Sequence, residues 1–79
     1  MRVVNEFVRE EIRVSVFSWN NKYLVKFELG PMEQTFKVSE TDILEEKDLE
    51  SFFSGVFFEK VKLRFEEMGK SLRSQLEDL

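Results

Sequence analysis

Two turn signals divide the first half of the chain into segments of equal length, and they limit its possible folds more than any other feature. Asn20-Asn21 fits a two-residue type I′ loop, which needs a positive φ at both positions and tolerates Asn there. Gly30-Pro31 fits a second tight loop, because Gly takes a positive φ freely and Pro has a fixed φ. Apolar residues alternate with polar ones over residues 11–38, so we predict an antiparallel meander.

Counting outward from these loops predicts the register of the strands and assigns every side chain to a face of the sheet. Trp19 then pairs with Lys22. The first face pairs Ser18 with Tyr23, Val16 with Val25, Val14 with Phe27 and Ile12 with Leu29, and is extended by Met32, Gln34, Phe36 and Val38. The second face pairs Phe17 with Leu24, Ser15 with Lys26 and Arg13 with Glu28. The first face is almost wholly apolar, so we expect it to lie against the core.

Residues 3–8 have two interpretations. They form either a fourth strand or a short helix. As a strand, they would place Val3, Asn5 and Phe7 on the first face through a turn near Arg9-Glu10. No Gly, Asn or Pro marks that turn, so the alternative stays open.

The apolar period becomes helical from Asp48, which we interpret as an N-cap. We therefore predict a single α+β domain over residues 1–79: a β-meander of three or four strands at 1–39, an acidic connector at 40–47, and an amphipathic helix at 48–79 packed on one sheet face. Gly55 is a point at which this helix can be interrupted.

The predicted helix is longer than the sheet it covers. A helix of some 25 to 30 residues runs about 40 Å, whereas a seven-residue strand spans about 23 Å. Its apolar stripe continues to the end of the chain through Met68, Leu72, Leu76 and Leu79. We expect this end to extend past the sheet and to need another surface to cover it.

Size and composition favour a binding module over an enzyme. A domain of 79 residues buries only about 60% of the surface that its unfolded chain exposes, and the chain has no Cys or His. The absence of Cys excludes disulfides and a thiol nucleophile, and the absence of His excludes the commonest general base. A Cys/His zinc site is excluded by both absences, and no phosphate-binding glycine loop is present. We predict no catalytic residues, no cofactor and no metal; oligomerisation remains as a source of stability.

The charge distribution bears on location and on partners. The first residues carry frequent charges and no apolar run suited to a signal peptide or membrane span, so we expect a cytoplasmic protein that does not bind membranes. The net charge is −4, and residues 40–50 hold most of the excess acid. These carboxylates lack the spacing of a calcium loop, which favours a solvated connector. The net negative charge of the chain weighs against binding to nucleic acid, whose phosphates are also negatively charged.

Two groups of residues are candidate contact surfaces. On the second face of the sheet, Phe17, Trp19 and Leu24 lie beside Lys22 and Lys26, and form either a ligand platform or a face covered by a second subunit or by the N-terminal segment. On the helix, the phenylalanine-rich run predicts that Phe53 or Phe58 meets a partner chain. The predicted partner-binding residues of the helix are Phe58, Phe65, Met68, Leu72 and Leu76.

The order of elements resembles one repeat of the PUR-alpha and Whirly type of single-stranded nucleic acid binding proteins. The features are the strands at 12–19, 22–29 and 32–38, the helix after Asp48, and a strand at 3–8 if it forms. The resemblance implies a homodimer, since two such repeats pack together in that family. It also implies nucleic acid binding through the sheet face around Trp19. Fold similarity alone does not establish function. We expect a homodimeric protein-interaction or scaffold module, with single-stranded nucleic acid binding as the alternative.

Overall fold

The chain is described by a computed structural model that covers residues 1–79. Four strands form one antiparallel sheet in the order β1-β2-β3-β4: β1 (Arg2–Arg9), β2 (Ile12–Trp19), β3 (Lys22–Leu29) and β4 (Met32–Ser39). Two 3-10 helices follow, Glu40–Asp42 and Glu46–Phe53, and the helix α1 spans Gly55–Glu77. The predicted α+β fold, a meander followed by a C-terminal helix, is confirmed.

The two predicted hairpins have the expected loops and register. Asn20 and Asn21 have φ values of 55° and 63°, as a type I′ loop requires, and Gly30 has a φ of 59°. Trp19 pairs with Lys22, and the β2–β3 pairs continue outward as predicted to Arg13 with Glu28. The β3–β4 pairs likewise run from Leu29 with Met32 to Tyr23 with Val38. The assignment of side chains on these three strands to the two faces is therefore correct.

The first segment is a strand, and two details of its prediction are wrong. The turn was predicted near Arg9-Glu10, but its two central residues are Glu10 and Glu11, which both have a positive φ. Arg9 is the last residue of β1 and pairs directly with Ile12, the first residue of β2. The register also shifts between Val3 and Asn5, which leaves Val4 as an extra residue in a β-bulge. One extra residue reverses the faces beyond it, so Val4 packs against the core and Val3 does not.

The helical segment begins earlier than predicted and is broken in the middle. Glu45 is the cap of the second 3-10 helix, and its backbone amide donates to Asp48 Oδ2 at 3.2 Å, so Asp48 is the third residue of that helix and not its N-cap. Ser54 is extended and Gly55 has a φ of 60°. This change of chain direction separates the 3-10 helix from α1, and Gly55 allows it because glycine has no Cβ.

The core lies between the first face of the sheet and the two helical segments. The 3-10 helix covers the β1 side, where Phe53 meets Phe7 at a centroid distance of 5.1 Å. The helix α1 covers the rest, and Phe57 lies 6.2 Å from Phe27. The core comprises eleven buried apolar residues: Ile12, Val14, Val16, Tyr23, Val25, Phe27, Leu49, Phe53, Phe58, Val61 and Phe65.

One polar side chain is buried within this core. Gln34, on the first face of β4, donates from Nε2 to the backbone oxygen of Val61 at 3.0 Å. Its other amide atom, Oε1, has no hydrogen-bond partner. A buried acceptor without a partner costs free energy, about 1 to 3 kcal/mol. Gln34 thus links the sheet to the middle of α1 at a cost in stability.

Candidate interaction surfaces

The second face of the sheet, which points away from α1, has an apolar row across its strands. Val3, Phe17 and Leu24 lie at one level on β1, β2 and β3, and Lys37 ends the row on β4. Val3 is 56% exposed, and Phe17 and Leu24 are half-buried by their neighbours on the sheet. With Trp19 at the end of β2, these residues form what we call the aromatic patch: Val3, Phe17, Trp19 and Leu24. Sequence reasoning missed Val3 because the bulge at Val4 is not apparent in the sequence.

Trp19 is the most accessible aromatic side chain of this patch. It is 48% exposed, and the Nζ of Lys22 lies 5.6 Å from the centroid of its ring. A cation at this distance from an indole contributes about 0.5–1 kcal/mol at an exposed site. The indole is therefore held at the edge of the patch with one face occupied by Lys22.

The basic residues beside the patch are not all free to bind an anion. Lys26 lies 3.9 Å from a carboxylate oxygen of Glu28 and 3.6 Å from one of Glu33. Lys22 and Lys37 make no ion pair within the chain. Lys22 and Lys26 were the two lysines predicted to flank the aromatic patch, and of these only Lys22 has no carboxylate partner. Lys37 is a second lysine without a carboxylate partner beside the patch, and the sequence prediction omitted it.

Two of the predicted partner-binding residues of the helix lie in the core of the chain itself. Phe58 and Phe65 are each 2% exposed, and Phe53 is also buried. The expectation that Phe53 or Phe58 meets a partner is wrong for this structure. The break at Gly55 is the physical reason, because it turns Phe53 toward β1 and Phe58 toward β3, and each finds a site beneath the sheet.

The remaining helix residues lie at or beyond the end of the sheet. Met68 is half-buried and packs against the core, while every residue from 70 to 79 is exposed. We call residues 70–79 the helix overhang; α1 ends at Glu77, so the helical part of the overhang is about 12 Å long at 1.5 Å per residue. Leu72 and Leu76 are 38% and 57% exposed, and they continue the stripe that Val61 and Phe65 begin in the core. The predicted extension past the sheet is present.

A hollow of about 210 Å³ lies where the overhang leaves the sheet. Its apolar wall consists of Ile12, Leu29 and Phe65. At its rim, Lys62 Nζ contacts Glu10 at 3.0 Å and Glu59 at 3.0 Å. The hydrogen bond to Glu10, and then that to Glu59, raises the pKa of Lys62, so the two carboxylates stabilise its ammonium form.

A wider groove of about 460 Å³ separates β1 from the 3-10 helix. The guanidinium of Arg9 on its wall donates to the backbone oxygen of Phe53, so it is already used in joining the helix to the sheet. The groove is lined by Asn5, Phe7, Arg9, Glu50, Phe53 and Ser54. Two more of its polar side chains have partners within the chain, since Ser54 Oγ donates to the backbone oxygen of Glu50 at 3.0 Å and Asn5 Oδ1 accepts from the backbone amide of Glu6 at 2.9 Å. The sequence pattern did not predict this groove.

The structure brings no three His, Cys, Asp or Glu side chains together in a metal-binding arrangement. None of its helices combines the length and apolar character that crossing a membrane requires. Comparison with models of known protein families, with curated proteins and with solved structures found no match for this chain. The class that the fold defines is a four-stranded antiparallel meander with one covering helix, and its function has to be inferred from the two uncovered surfaces.

Proposed function

We propose that the protein is a homodimeric protein-interaction or scaffold module, in which the helix overhang joins two copies. The observation that supports this is the continuity of the apolar stripe: it is buried at Val61 and Phe65 and emerges uncovered at Leu72 and Leu76. No other segment of residues 1–79 covers the overhang. An amphipathic helix normally buries its apolar face, and a second copy supplies an identical face.

The energetics favour burial of the overhang in a dimer. Removing a fully exposed leucine side chain from water is worth about 1.5–3 kcal/mol. Leu72 and Leu76 are 38% and 57% exposed, so two copies together bury the equivalent of about two such side chains, roughly 3–6 kcal/mol. Association costs an estimated 4–15 kcal/mol in lost freedom of motion, and these leucines offset part of it. The small core of a 79-residue domain gains stability from the same contact.

In this arrangement the aromatic patch stays available to a further partner. It lies on the face of the sheet opposite α1, so each dimer presents two copies of it. Aromatic residues surrounded by a polar rim are typical of protein contact sites. The scaffold function that we propose uses the helix overhang for self-association and the aromatic patch for the partner.

Sedimentation equilibrium tests the dimer directly. From about 1 to 200 μM, the weight-average mass should rise toward twice that of one chain, since this range of concentrations covers dissociation constants in the micromolar range. A chain that stays monomeric across this range would refute the homodimer. Circular dichroism on the same samples would show that the chain was folded.

The second candidate function is binding of single-stranded nucleic acid at the aromatic patch. The observation in its favour is the exposed Trp19 next to Lys22, with Lys37 beside Leu24, since bases stack on aromatic side chains and lysines contact phosphates. The net charge of −4 and the pairing of Lys26 with Glu28 and Glu33 oppose it. It therefore ranks below the interaction module.

The two functions predict opposite responses to salt. Raising salt from about 50 to 500 mM should weaken nucleic acid binding steeply, because binding releases counterions. It should preserve or strengthen the dimer, because screening reduces repulsion between two acidic chains. Titrating a labelled single strand at low salt while following Trp19 fluorescence, with Trp19→Ala as the control, measures the first response. The absence of any binding at about 50 mM salt would exclude nucleic acid.

A further inference from the structure

The two outer strands of the sheet differ in how far their free edges are protected. β1 has a β-bulge at Val4, and the side chains of Arg2 and Arg9 reach from it to the second 3-10 helix. β4 has neither feature, since its eight residues pair with β3 without a shift in register. Its backbone groups that point away from β3 make no backbone hydrogen bond within the chain. We call this open side of the strand the β4 edge.

The odd-numbered residues of β4 carry the free backbone groups. In an antiparallel pair, residues that exchange backbone bonds with the neighbouring strand alternate with residues whose groups point away from it. The amide of Glu40, just after β4, donates to the backbone oxygen of Asn21 at 3.1 Å. The even-numbered residues of β4 therefore bond to β3, and Glu33, Thr35 and Lys37 direct their backbone groups to the β4 edge. The side chains of these three residues are exposed.

The charges along the β4 edge are complementary to those of a second copy. Thr35 lies midway between Glu33 and Lys37. When two β4 strands pair antiparallel with the Thr35 residues opposite each other, each Glu33 lies opposite the partner's Lys37. Opposite charges in this position stabilise strand pairing, and so do two threonines. Within its own chain, Glu33 is 3.6 Å from Lys26, whereas Lys37 gains its first carboxylate partner from this contact.

We propose that two copies associate through their β4 edges, antiparallel about Thr35, so that their sheets become one continuous sheet. Each opposed pair of edge residues then exchanges both N–H···O bonds. The contact is twofold, so the attraction between Glu33 and Lys37 occurs on each side of the axis. The match to an identical strand identifies the partner as a second copy of this chain.

Other registers lose this match. Moving the partner strand by one residue would place side chains of the first face opposite those of the second. Moving it by two residues places Thr35 opposite one of the charged residues. Moving it by four places Lys37 opposite the partner's Lys37, or Glu33 opposite the partner's Glu33, and like charges directly opposite each other are destabilising. The charges therefore select the register centred on Thr35.

The first face of the sheet accommodates the same register. Met32 lies opposite the partner's Val38, and Gln34 opposite the partner's Phe36, so no charge enters these rows. The guanidinium of Arg64 on α1 lies 6.0 Å from the ring of Phe36. Arg64 is exposed, so water and salt screen its repulsion of the partner's Arg64.

This contact goes beyond the proposed homodimer, because it does not use the helix overhang. α1 runs antiparallel to β4, since Phe57 packs on Phe36 and Gly69 lies beside Met32. The two overhangs of an edge-joined pair therefore point to opposite ends of the sheet. Backbone bonds to a partner replace bonds to water, so the contact is weak on its own. Dimers joined by the overhang carry two free β4 edges, through which they assemble further.

Disulfide crosslinking measures the edge contact, and the natural chain contains no cysteine. Thr35→Cys should form a covalent dimer with itself under mild oxidation, because opposed residues of a hydrogen-bonded pair have Cα atoms about 5.5 Å apart, within the range of a disulfide. The matched control is Val8→Cys, which lies on the second face of the other edge strand and is 65% exposed. Thr35→Cys should link about tenfold or more faster than this control.

Charge exchange tests the register. In a Thr35→Cys chain, adding Lys37→Glu makes both charged positions of the edge acidic, and adding Glu33→Lys makes both basic. Either change should slow linkage to the rate of Val8→Cys. A mixture of the two variants, one with a size tag, should restore fast linkage between them, because each supplies the charges that the other lacks. Circular dichroism should show that both variants keep the fold.

The outcomes separate the edge contact from the homodimer. Linkage of Thr35→Cys no faster than Val8→Cys would reject the edge contact, and a mixture that links no faster than its two components would overturn the register. If sedimentation of the natural chain still rises toward a dimer, the homodimer stands without the edge contact. Fast linkage that persists after Leu72→Glu is added shows that the edge acts independently of the overhang, and its loss there would overturn that independence.

Discussion

Replacing Leu72 with glutamate should convert the proposed dimer into a monomer, with a dissociation constant raised by about tenfold or more. Leu72 is 38% exposed, so losing its burial in both copies costs about 1–2 kcal/mol in total. It also places one carboxylate from each copy in the proposed contact, where like charges oppose association. Sedimentation equilibrium of the variant and the natural chain measures the change.

Leu63→Glu is the matched control for this experiment. Leu63 lies on the same helix, but on the face that points away from the sheet, and it is 62% exposed. The chemical change and the change in net charge are the same, and glutamate is as good a helix former as leucine. Leu63→Glu should leave the dimer intact, and both variants should keep the fold as seen by circular dichroism. Dimerisation of Leu72→Glu with natural affinity would show that the overhang is not the contact.

The sequence predicted the hairpins well because their loops contain residues with a strong physical preference. Asn20 and Asn21 tolerate positive φ, and Gly30 adopts it freely, so the loop type and with it the register follow from residue identity. Once the register is known, the two faces of β2, β3 and β4 are determined. The sequence alone therefore suffices to assign Phe17, Leu24 and Lys22 to one face.

The first strand was harder to predict because its turn and its bulge have no such signal. Glu10 and Glu11 both adopt positive φ, which is unfavourable for residues with a Cβ. The pairing of β1 with β2, which begins with Arg9 and Ile12 and continues to Arg2 and Ser18, compensates for that cost. The bulge places Val4 against the core, and no residue of distinctive conformational preference marks it in the sequence. It moves Val3 into the aromatic patch, a result that alternation alone could not give.

The helix residues of the candidate site were predicted only in part, for a similar reason. Their periodicity showed correctly that Phe58, Phe65, Leu72 and Leu76 share an apolar face. It could not show where the sheet ends beneath that face, since this depends on the break at Gly55 and on the position of α1 along the strands. Phe58 and Phe65 lie over the sheet and are buried, while Leu72 and Leu76 lie beyond it.

Replacing Gln34 with glutamate should destabilise the fold by about 3 kcal/mol or more at neutral pH. The two side chains have the same shape, but glutamate loses the Nε2 donor and points a carboxylate at the backbone oxygen of Val61. A domain of this size has a total stability of roughly 4–12 kcal/mol, at about 0.05–0.15 kcal/mol per residue. Urea unfolding at pH 7 should show a much lower midpoint, or a chain that is largely unfolded.

The loss should depend on pH in a definite direction. Burial raises the pKa of the new carboxyl above its unfolded value of about 4.3, since the charged form is disfavoured in the core. Below the unfolded pKa the group is protonated in both states and donates to Val61, so the penalty is absent. As pH rises from there to the folded pKa, only the unfolded chain loses the proton, and stability falls by about 1.4 kcal/mol per pH unit.

Gln34→Met separates the effect of charge from that of shape. Methionine has a similar length and removes the unpartnered Oε1 together with Nε2, while the Val61 oxygen keeps its ordinary bond within α1. Its stability should lie within about 1 kcal/mol of the natural chain and should show no added dependence on pH. An equal loss in both variants, or a loss in Gln34→Glu that does not change with pH, would mean that the buried charge is not the cause and that the cost comes from the Nε2 hydrogen bond, which both variants remove. The hydrogen bond from Gln34 to Val61 would then itself be what holds α1 in position on the sheet.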